Sequence, residues 1–208
     1  MKKLIVFDLD GTLIDSIDDI TGAINHLRKE ISQSEMSRQE VIECVGGGMV
    51  DLIRRTAPAE VIEHAKALKI YKDYYAAHLV VKTVLYAGVK STLETLKRNG
   101  CALAVVTNKP TDDANTILKK LEIADLFDDI IGGNSGFPLK PSPESLLYLQ
   151  NKHASEDNYM CGDHHTDLNA GNNAKFKTIH ASYGFGDSRG IPPSYRIEHF
   201  KELLQIVL

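Results

Sequence analysis

LIVFDLDGT, residues 4–12, is an apolar run that ends in two acids and a glycine. Four consecutive apolar residues without alternation are typical of a parallel strand that is covered on both faces. Asp8 and Asp10 follow this run directly, at the carboxyl end of the strand. Ligands of open α/β sheets bind beyond the carboxyl ends of their strands. The stretch therefore predicts a buried strand of such a sheet with an acidic site at its end.

Further apolar runs, separated by helical patterns, predict the rest of this sheet. The helical pattern at 111–123 begins with Thr111 as its N-cap, and the pattern at 142–152 begins with Ser142 as its N-cap and Pro143 in its first turn. Repeated alternation of strands and helices predicts an α/β fold with a Rossmann-like parallel sheet. The predicted strands after the first are residues 102–106, 129–133, 158–162 and 177–181.

Residues 16–81 break this alternation, because their patterns are helical throughout. SRQE at 37–40 is a capping box, and Pro58 opens a pattern that would run for several helical turns. A simple crossover needs far fewer residues. We therefore expect a helical cap at 16–81, inserted into an α/β core that consists of residues 1–15 and 82–208.

Composition limits the classes of partner. The 208 residues carry a net charge of −4 without a block of basic residues, which argues against nucleic acid and anionic membranes. The three cysteines include no CxxC pair, which argues against a disulfide framework or a zinc site. No apolar run approaches the ~20 residues of a membrane span, and the first run is too short for a signal peptide. We expect a cytoplasmic monomer or homodimer that acts on a small molecule.

Polar residues follow the later predicted strands as well. Thr107 and Asn108 follow the second strand, Lys140 follows the third, and Asp163 and Asp167 follow the fourth. These residues and the two acids of the first stretch would meet at one edge of the sheet. Clustered carboxylates repel one another, and a hard cation such as Mg²⁺ relieves that repulsion. One carboxylate could then attack phosphorus while another moves a proton, so the pattern indicates phosphoryl transfer.

Four motifs resemble those of the haloacid dehalogenase superfamily of phosphohydrolases, and they occur in the family's order. The resemblance implies that Asp8 is the nucleophile and that Asp10 is the general acid and base, with its backbone carbonyl on the metal. It implies that Thr107 and Lys140 hold the phosphoryl group. The motifs are DLDGT (8–12), VVTN (105–108), LKPSPE (139–144) and GDHHTD (162–167). The implied Mg²⁺ site is Asp8, Asp10, Asp163 and Asp167.

Within this family, the chain is most similar to the phosphoglycolate phosphatases. FDLDGTLIDSIDDI (7–20) resembles their first motif, and VGGGMVDLI (45–53) resembles a cap loop whose glycines approach the substrate. The resemblance implies 2-phosphoglycolate as substrate. The residues expected to contact it are Gly11, Thr12, Gly46, Gly47, Gly48 and Asn108.

Other residues have weaker patterns. His164 and His165 stand where the family usually has a small polar residue, and we interpret them as neighbours of the metal site rather than ligands. YKDYY (71–75) is interpreted as packing. Three cap residues are candidate substrate contacts, although such charges are more often part of a solvated helix face: Arg54, Arg55 and Lys66.

Three alternative functions remain open from the sequence. A sugar-phosphate mutase of the β-phosphoglucomutase type would return the phosphoryl group to a substrate. A phospho-accepting signalling domain also uses a strand-end aspartate, Mg²⁺ and a lysine, and a silent binding protein would keep only the fold. Haloacid dehalogenation is disfavoured, because a halide needs no proton and those relatives lack the acid found here at Asp10. Phosphonate hydrolysis would need a cap lysine, for which Lys29 is the only nearby candidate.

Overall fold

The structure is a computed structural model, and it describes residues 2–208. Its strands are β1 Lys3–Phe7, β2 Ile14–Asp15, β3 Val84–Leu85, β4 Ala102–Val106, β5 Asp129–Ile131, β6 Asp157–Gly162, β7 Lys177–Ala181 and β8 Tyr195–Ile197. Six of them form one parallel sheet in the order β5-β4-β1-β6-β7-β8. The predicted α/β fold with a Rossmann-like parallel sheet is therefore confirmed.

The first strand lies at the centre of this sheet, between β4 and β6. Its four apolar residues, 4–7, are completely buried. Ile5 and Phe7 pack into one hydrophobic cluster, and Leu4 and Val6 pack into a second. Alternate side chains of a strand point to opposite faces, so the two clusters lie on the two sides of the sheet. This double coverage is why the strand is apolar throughout.

Helices connect the strands of the sheet and fill the segment between β2 and β3. Several of the predicted helix starts are wrong. Thr111 is the first helical residue, with Pro110 as N-cap, and the helix predicted from Ser142 begins at Glu144, with Pro143 as N-cap. The helices are α1 Ile17–Glu30, α2 Arg38–Ile42, α3 Met49–Thr56, α4 His64–Ala77, α5 Val89–Arg98, α6 Thr111–Lys120, α7 Glu144–His153, α8 His165–Ala174 and α9 Leu203–Val207.

The helical pattern from Pro58 also begins later than predicted. The carbonyl of Pro58 accepts hydrogen bonds from the N–H groups of Val61 and Ile62, which closes a turn. Glu63 is then extended, with φ −60° and ψ 134°, so the turn cannot continue into α4. The capping box at Ser37 is present, with the side chains of Ser37 and Glu40 each bonded to the other's backbone N–H.

The chain leaves and re-enters the sheet region through the antiparallel pair β2–β3. Asp19 of α1 fastens the returning chain at this place. Its carboxylate accepts hydrogen bonds from the N–H groups of Val81, Lys82 and Thr83 at 2.9–3.0 Å, and from the Thr83 hydroxyl at 2.7 Å. We call α1–α4, residues 17–77, the helical segment. Its boundaries as a separate subdomain stay a prediction.

Candidate active site

Parallel strands bring three functional groups to one edge of the sheet. Asp8, Thr107 and Asp163 are the residues that directly follow β1, β4 and β6. These strands are neighbours and run in the same direction. Lys140 reaches the same edge from the loop that follows β5. The topology thus explains why residues from four motifs lie together.

Lys140 is the buried cation at the centre of this edge. Its side chain is 2% exposed, and its Nζ lies 2.7 Å from Oδ1 of Asp8 and 2.6 Å from Oδ1 of Asp167. Burial alone would lower the pKa of this ammonium, but the two carboxylates outweigh burial and raise its pKa. Asn108 fixes the backbone of Lys140, because its side-chain amide bonds both the N–H (2.9 Å) and the carbonyl (3.1 Å).

Three carboxylates form an acidic cluster that one lysine does not neutralise. Oxygens of Asp8, Asp163 and Asp167 lie within 4.8 Å of one another. Burial, followed by repulsion from Asp167, raises the pKa of Asp8 to about 6, and Lys140 offsets only part of this. The same two causes, burial first, raise the pKa of Asp163 well above its ordinary value. A cluster of oxygen donors with excess negative charge fits a hard divalent cation.

The first motif positions Asp163 through its turn. Gly11 has φ +84°, and a Cβ there would lie 1.9 Å from Oδ2 of Asp163, so no other residue fits. The hydroxyl of Thr12 donates to Oδ1 of Asp163 at 3.3 Å, and the N–H of Gly186 donates to Oδ2 at 2.7 Å. Neither Gly11 nor Thr12 lines the cleft described below. The structure therefore places both residues against Asp163, and their contact with the substrate stays a prediction.

Asp10 lies outside the acidic cluster, although only one residue separates it from Asp8. Its Oδ1 lies 3.1 Å from Nζ of Lys109 and accepts a hydrogen bond from Ser16 at 2.5 Å. The two acids therefore have different partners. Asp8 contacts Lys140 and Asp10 contacts Lys109, which is an arrangement suited to two different chemical roles.

Lys109 is the site residue that sequence reasoning missed. Its side chain is 6% exposed, and its Nζ donates to the hydroxyl of Tyr75 at 2.8 Å. The ammonium also lies 4.8 Å from the centroid of the Tyr75 ring, within the range of a cation–π contact. Tyr75 belongs to α4. The position of Lys109 directly after Thr107 and Asn108 could have indicated from the sequence that it belongs to the site.

A cleft that is open to solvent lies between the strand ends and the helical segment. Its two sides differ in chemistry. The sheet wall is formed by Asp8, Asp10, Thr107, Asn108, Lys109, Lys140, Asp163 and His164. The helical wall is formed by Ile20, Ile42, Val45, Met49, Leu52, Tyr71 and Tyr75. Tyr71 and Tyr75 stack on each other with centroids 5.3 Å apart, so they pack as predicted and also line the cleft.

The loop that contains Gly46, Gly47 and Gly48 joins the two walls. Gly46 and Gly48 line the cleft and have φ +113° and +84°, whereas Gly47 is not among the lining residues. The carbonyl of Gly46 accepts a hydrogen bond from the amide of Asn108 at 2.9 Å. A Cβ at Gly46 would lie 2.4 Å from the ring of His164, so a side chain would displace either the ring or the backbone of Gly46.

The two histidines have different positions. His164 lines the cleft and caps α8, with its Nδ1 2.9 Å from the hydroxyl of Thr166. Burial, and then the neighbouring His165, lower the pKa of His164 to about 4, so its ring is neutral near pH 7. His165 packs on His164 and lies outside the cleft lining. The predicted candidates Arg54, Arg55 and Lys66 are exposed and also lie outside it.

Comparisons with known proteins agree with this geometry. Residues 5–181 match the family of haloacid dehalogenase-like hydrolases. A phosphoglycolate phosphatase of Pasteurella multocida is 36% identical over 99% of this chain and 98% of its own. One of Mannheimia succiniciproducens is 35% identical with the same coverage. The crystal structure of a predicted phosphoglycolate phosphatase of Haemophilus somnus has a TM-score of 0.93 at 32% identity, covering 100% of this chain and 98% of that one.

The chain therefore belongs to the haloacid dehalogenase-like hydrolase family. Within that family it is a phosphatase, as the relatives that span its whole length indicate. This confirms the family that the four motifs predicted, and it favours a hydrolase over a signalling domain. Within residues 2–208, no helix is both long enough and apolar enough to cross a membrane.

Proposed function

We propose that this phosphatase hydrolyses 2-phosphoglycolate to glycolate and phosphate, and that it depends on Mg²⁺. The observation that carries the proposal is the contact of Asp8 with Lys140 beside Asp163 and Asp167, at the end of the central strand. The choice of substrate is supported by similarity to phosphoglycolate phosphatases along the whole chain.

Asp8 acts as the nucleophile. Its pKa of about 6 leaves the carboxylate ionised at neutral pH, while its burial keeps it poorly solvated. One oxygen of Asp8 attacks phosphorus, the bond from phosphorus to the ester oxygen breaks, and an aspartyl-phosphate forms. The ammonium of Lys140 and the hydroxyl of Thr107 hold the phosphoryl oxygens, with positive charge placed where negative charge accumulates.

Asp10 is the general acid and base. It gives its proton to the departing ester oxygen and then takes a proton from the water that attacks the phosphorus of the intermediate. Phosphate leaves and the carboxylate of Asp8 is restored. Separate partners for the two acids, Lys140 for Asp8 and Lys109 for Asp10, support this division of roles.

The acidic cluster would hold the metal. Asp8 and Asp163 would bind Mg²⁺ directly with the backbone carbonyl of Asp10. Asp167 would support the site, because its two oxygens already accept from Lys140 and from the N–H of His164. When bound there, Mg²⁺ supplies positive charge beside the phosphoryl group.

The helical segment would act as a cap that closes the cleft. Its apolar wall would exclude bulk water from the aspartyl-phosphate and select the leaving group. We propose residues 16–81 as this cap and residues 1–15 and 82–208 as the catalytic core. The β2–β3 pair and the hydrogen bonds of the Asp19 carboxylate to Thr83 lie where the two parts meet, which supports these boundaries.

The test is phosphate release from a panel of esters, with Mg²⁺ and with EDTA. The panel contains 2-phosphoglycolate, hexose phosphates, nucleotides and p-nitrophenyl phosphate. We expect metal-dependent release with a clear preference for 2-phosphoglycolate. Preference for another ester would refute 2-phosphoglycolate as the substrate. Equal rates with Mg²⁺ and with EDTA would refute the dependence on the metal. Asp8→Asn is the matched control, because it keeps the size of the side chain and removes the nucleophile.

A further inference from the structure

We propose that Lys109 and Tyr75 together form the subsite that binds the carboxylate of the substrate. The inference rests on the proposed function, because it assumes a phosphate ester with a carboxylate next to the ester oxygen. The motif residues account for the phosphoryl group and for the proton of the leaving oxygen. They leave the remaining charged group of such a substrate without a partner.

Lys109 is the cation that the cleft offers to this group. Two lysines line the cleft, and Lys140 is already held between Asp8 and Asp167 at the phosphoryl end. Lys109 contacts Asp10 instead, and its Nζ donates to the hydroxyl of Tyr75 from the helical wall. The arginines of the helical segment lie outside the cleft lining. Among the described residues, Lys109 is thus the cation placed to meet a second anionic group.

Lys109 also has a hydrogen-bond donor to spare. An ammonium has three N–H donors, and the described residues provide two partners, Oδ1 of Asp10 and the hydroxyl of Tyr75. The side chain is 94% buried by the protein and yet lines the cleft, so a group bound in the cleft could meet the third donor. A buried charged donor without a partner is costly, and a ligand carboxylate would satisfy it.

The position of Lys109 fits the geometry of the substrate. The carboxylate carbon of 2-phosphoglycolate is bonded to the carbon that carries the ester oxygen. Asp10 must reach that oxygen to protonate it, so the carboxylate must lie close to Asp10. Nζ of Lys109 is 3.1 Å from Oδ1 of Asp10. The ammonium is therefore placed next to the leaving group.

Tyr75 completes the subsite from the opposite wall. Its hydroxyl accepts from Lys109 and can donate its own hydrogen to a carboxylate oxygen. Stacking with Tyr71 fixes the plane of its ring. Because Tyr75 belongs to α4, the subsite is complete only when the helical segment is closed on the sheet, which links substrate binding to closure.

The experiment compares two esters that differ in the carboxylate, 2-phosphoglycolate and ethyl phosphate. Values of kcat and KM are measured with Mg²⁺ for the wild type, Lys109→Met and Tyr75→Phe, with Lys66→Met as an exposed lysine control. For Lys109→Met, we expect kcat/KM for 2-phosphoglycolate to fall about 10–100-fold more than for ethyl phosphate, since a charged hydrogen bond is lost. Tyr75→Phe should show about a 3–10-fold difference, and Lys66→Met none.

The ratio of the two losses separates the possible results. An equal loss for both esters would overturn the inference, because Lys109 would then act only through Asp10. If the wild type does not prefer 2-phosphoglycolate, the proposed substrate fails together with the subsite. If the wild type prefers it and both variants keep that preference, only the subsite fails, and the amides near Gly46 and Gly48 become the alternative. Tyr75→Phe removes one oxygen, so it keeps the test decisive if Lys109→Met folds poorly.

Discussion

The two walls of the cleft differ in almost every physical respect. The sheet wall consists largely of charged side chains, and two of its acids, Asp8 and Asp10, are each paired with a lysine, at 2.7 and 3.1 Å. The helical wall consists of aliphatic and aromatic side chains without a charge. The charges of the sheet wall can stabilise a phosphoryl transfer, but this wall has little means to recognise a leaving group. The apolar helical wall can exclude water and limit the size of the substrate. The contact between Lys109 and Tyr75 is where the two walls share one function.

The largest expected loss of activity comes from a change in the sheet wall, at Asp8. Asp8→Asn should lower kcat by at least about 10⁴-fold, because loss of a nucleophile removes the covalent route. The measurement is steady-state phosphate release. Activity within tenfold of the wild type would remove Asp8 from the mechanism.

The same substitution should stabilise the metal-free protein. The pKa of Asp8 is raised from 3.8 to about 6, so the folded state holds the proton more tightly than the unfolded state. Stability therefore falls as pH rises through this window, and the cost is fully present at neutral pH. In EDTA at pH 7, Asp8→Asn should melt at a higher temperature than the wild type. A lower Tm would show that the Lys140 contact outweighs the burial of charge.

The second effect is at Asp10. Asp10→Ala should lower kcat about 10²–10⁴-fold for 2-phosphoglycolate, because the leaving oxygen loses its acid. The loss should be smaller for p-nitrophenyl phosphate, whose leaving group needs less help from a proton. An equal loss for both esters would mean that Asp10 acts through the metal or through Lys109 rather than as an acid.

A further prediction concerns the attachment of the helical segment to the sheet. Asp19→Asn should lower the free energy of unfolding by about 1.5–3 kcal/mol, since hydrogen bonds to a charged acceptor are lost. Burial opposes ionisation of Asp19, but its hydrogen bonds from Thr83, Lys82 and Val81 outweigh burial and lower its pKa. The stabilisation is therefore present above pH 3.8 and is lost as pH falls through the lowered pKa. Urea unfolding at pH 7 and at acid pH measures this, and a difference that grows on acidification would contradict it.

The smallest effect is expected outside both walls. Arg54 is 70% exposed, and its contact with Asp51 is 4.0 Å long. Arg54→Ala should change kcat and KM by less than about twofold, as is usual for exposed positions. A clear rise in KM would mean that the helical segment moves to bring Arg54 into the cleft. The helical wall would then include a charged residue.

Most of the sheet wall, although not Lys109, was predictable from sequence, because its residues lie in short motifs at the ends of apolar strands. Once β1 and β4 are placed as parallel strands, Asp8 and Thr107 must meet. The contact of Lys109 with Tyr75 was not predictable in this way. It joins residues 34 positions apart and depends on how α4 packs across the cleft.

Other differences also depend on contacts between residues that are far apart in the sequence. Thr12 was expected at the substrate, and its hydrogen bond to Asp163, 151 positions away, was not predicted. The strand β8 was missed because it has three residues, two of them exposed, and lies at the edge of the sheet. Tertiary contacts at an edge, rather than an apolar pattern, determine such a strand.

The central claim is that Asp8 carries the phosphoryl group during turnover. The most direct test mixes the enzyme with 2-phosphoglycolate and Mg²⁺, stops the reaction in acid within the first turnover, and reduces the product with borohydride. Borohydride converts an aspartyl-phosphate to homoserine, which mass spectrometry of the N-terminal peptide locates. We predict homoserine at position 8 only. Phosphate release without modification of Asp8, or with homoserine at position 10, would contradict the account.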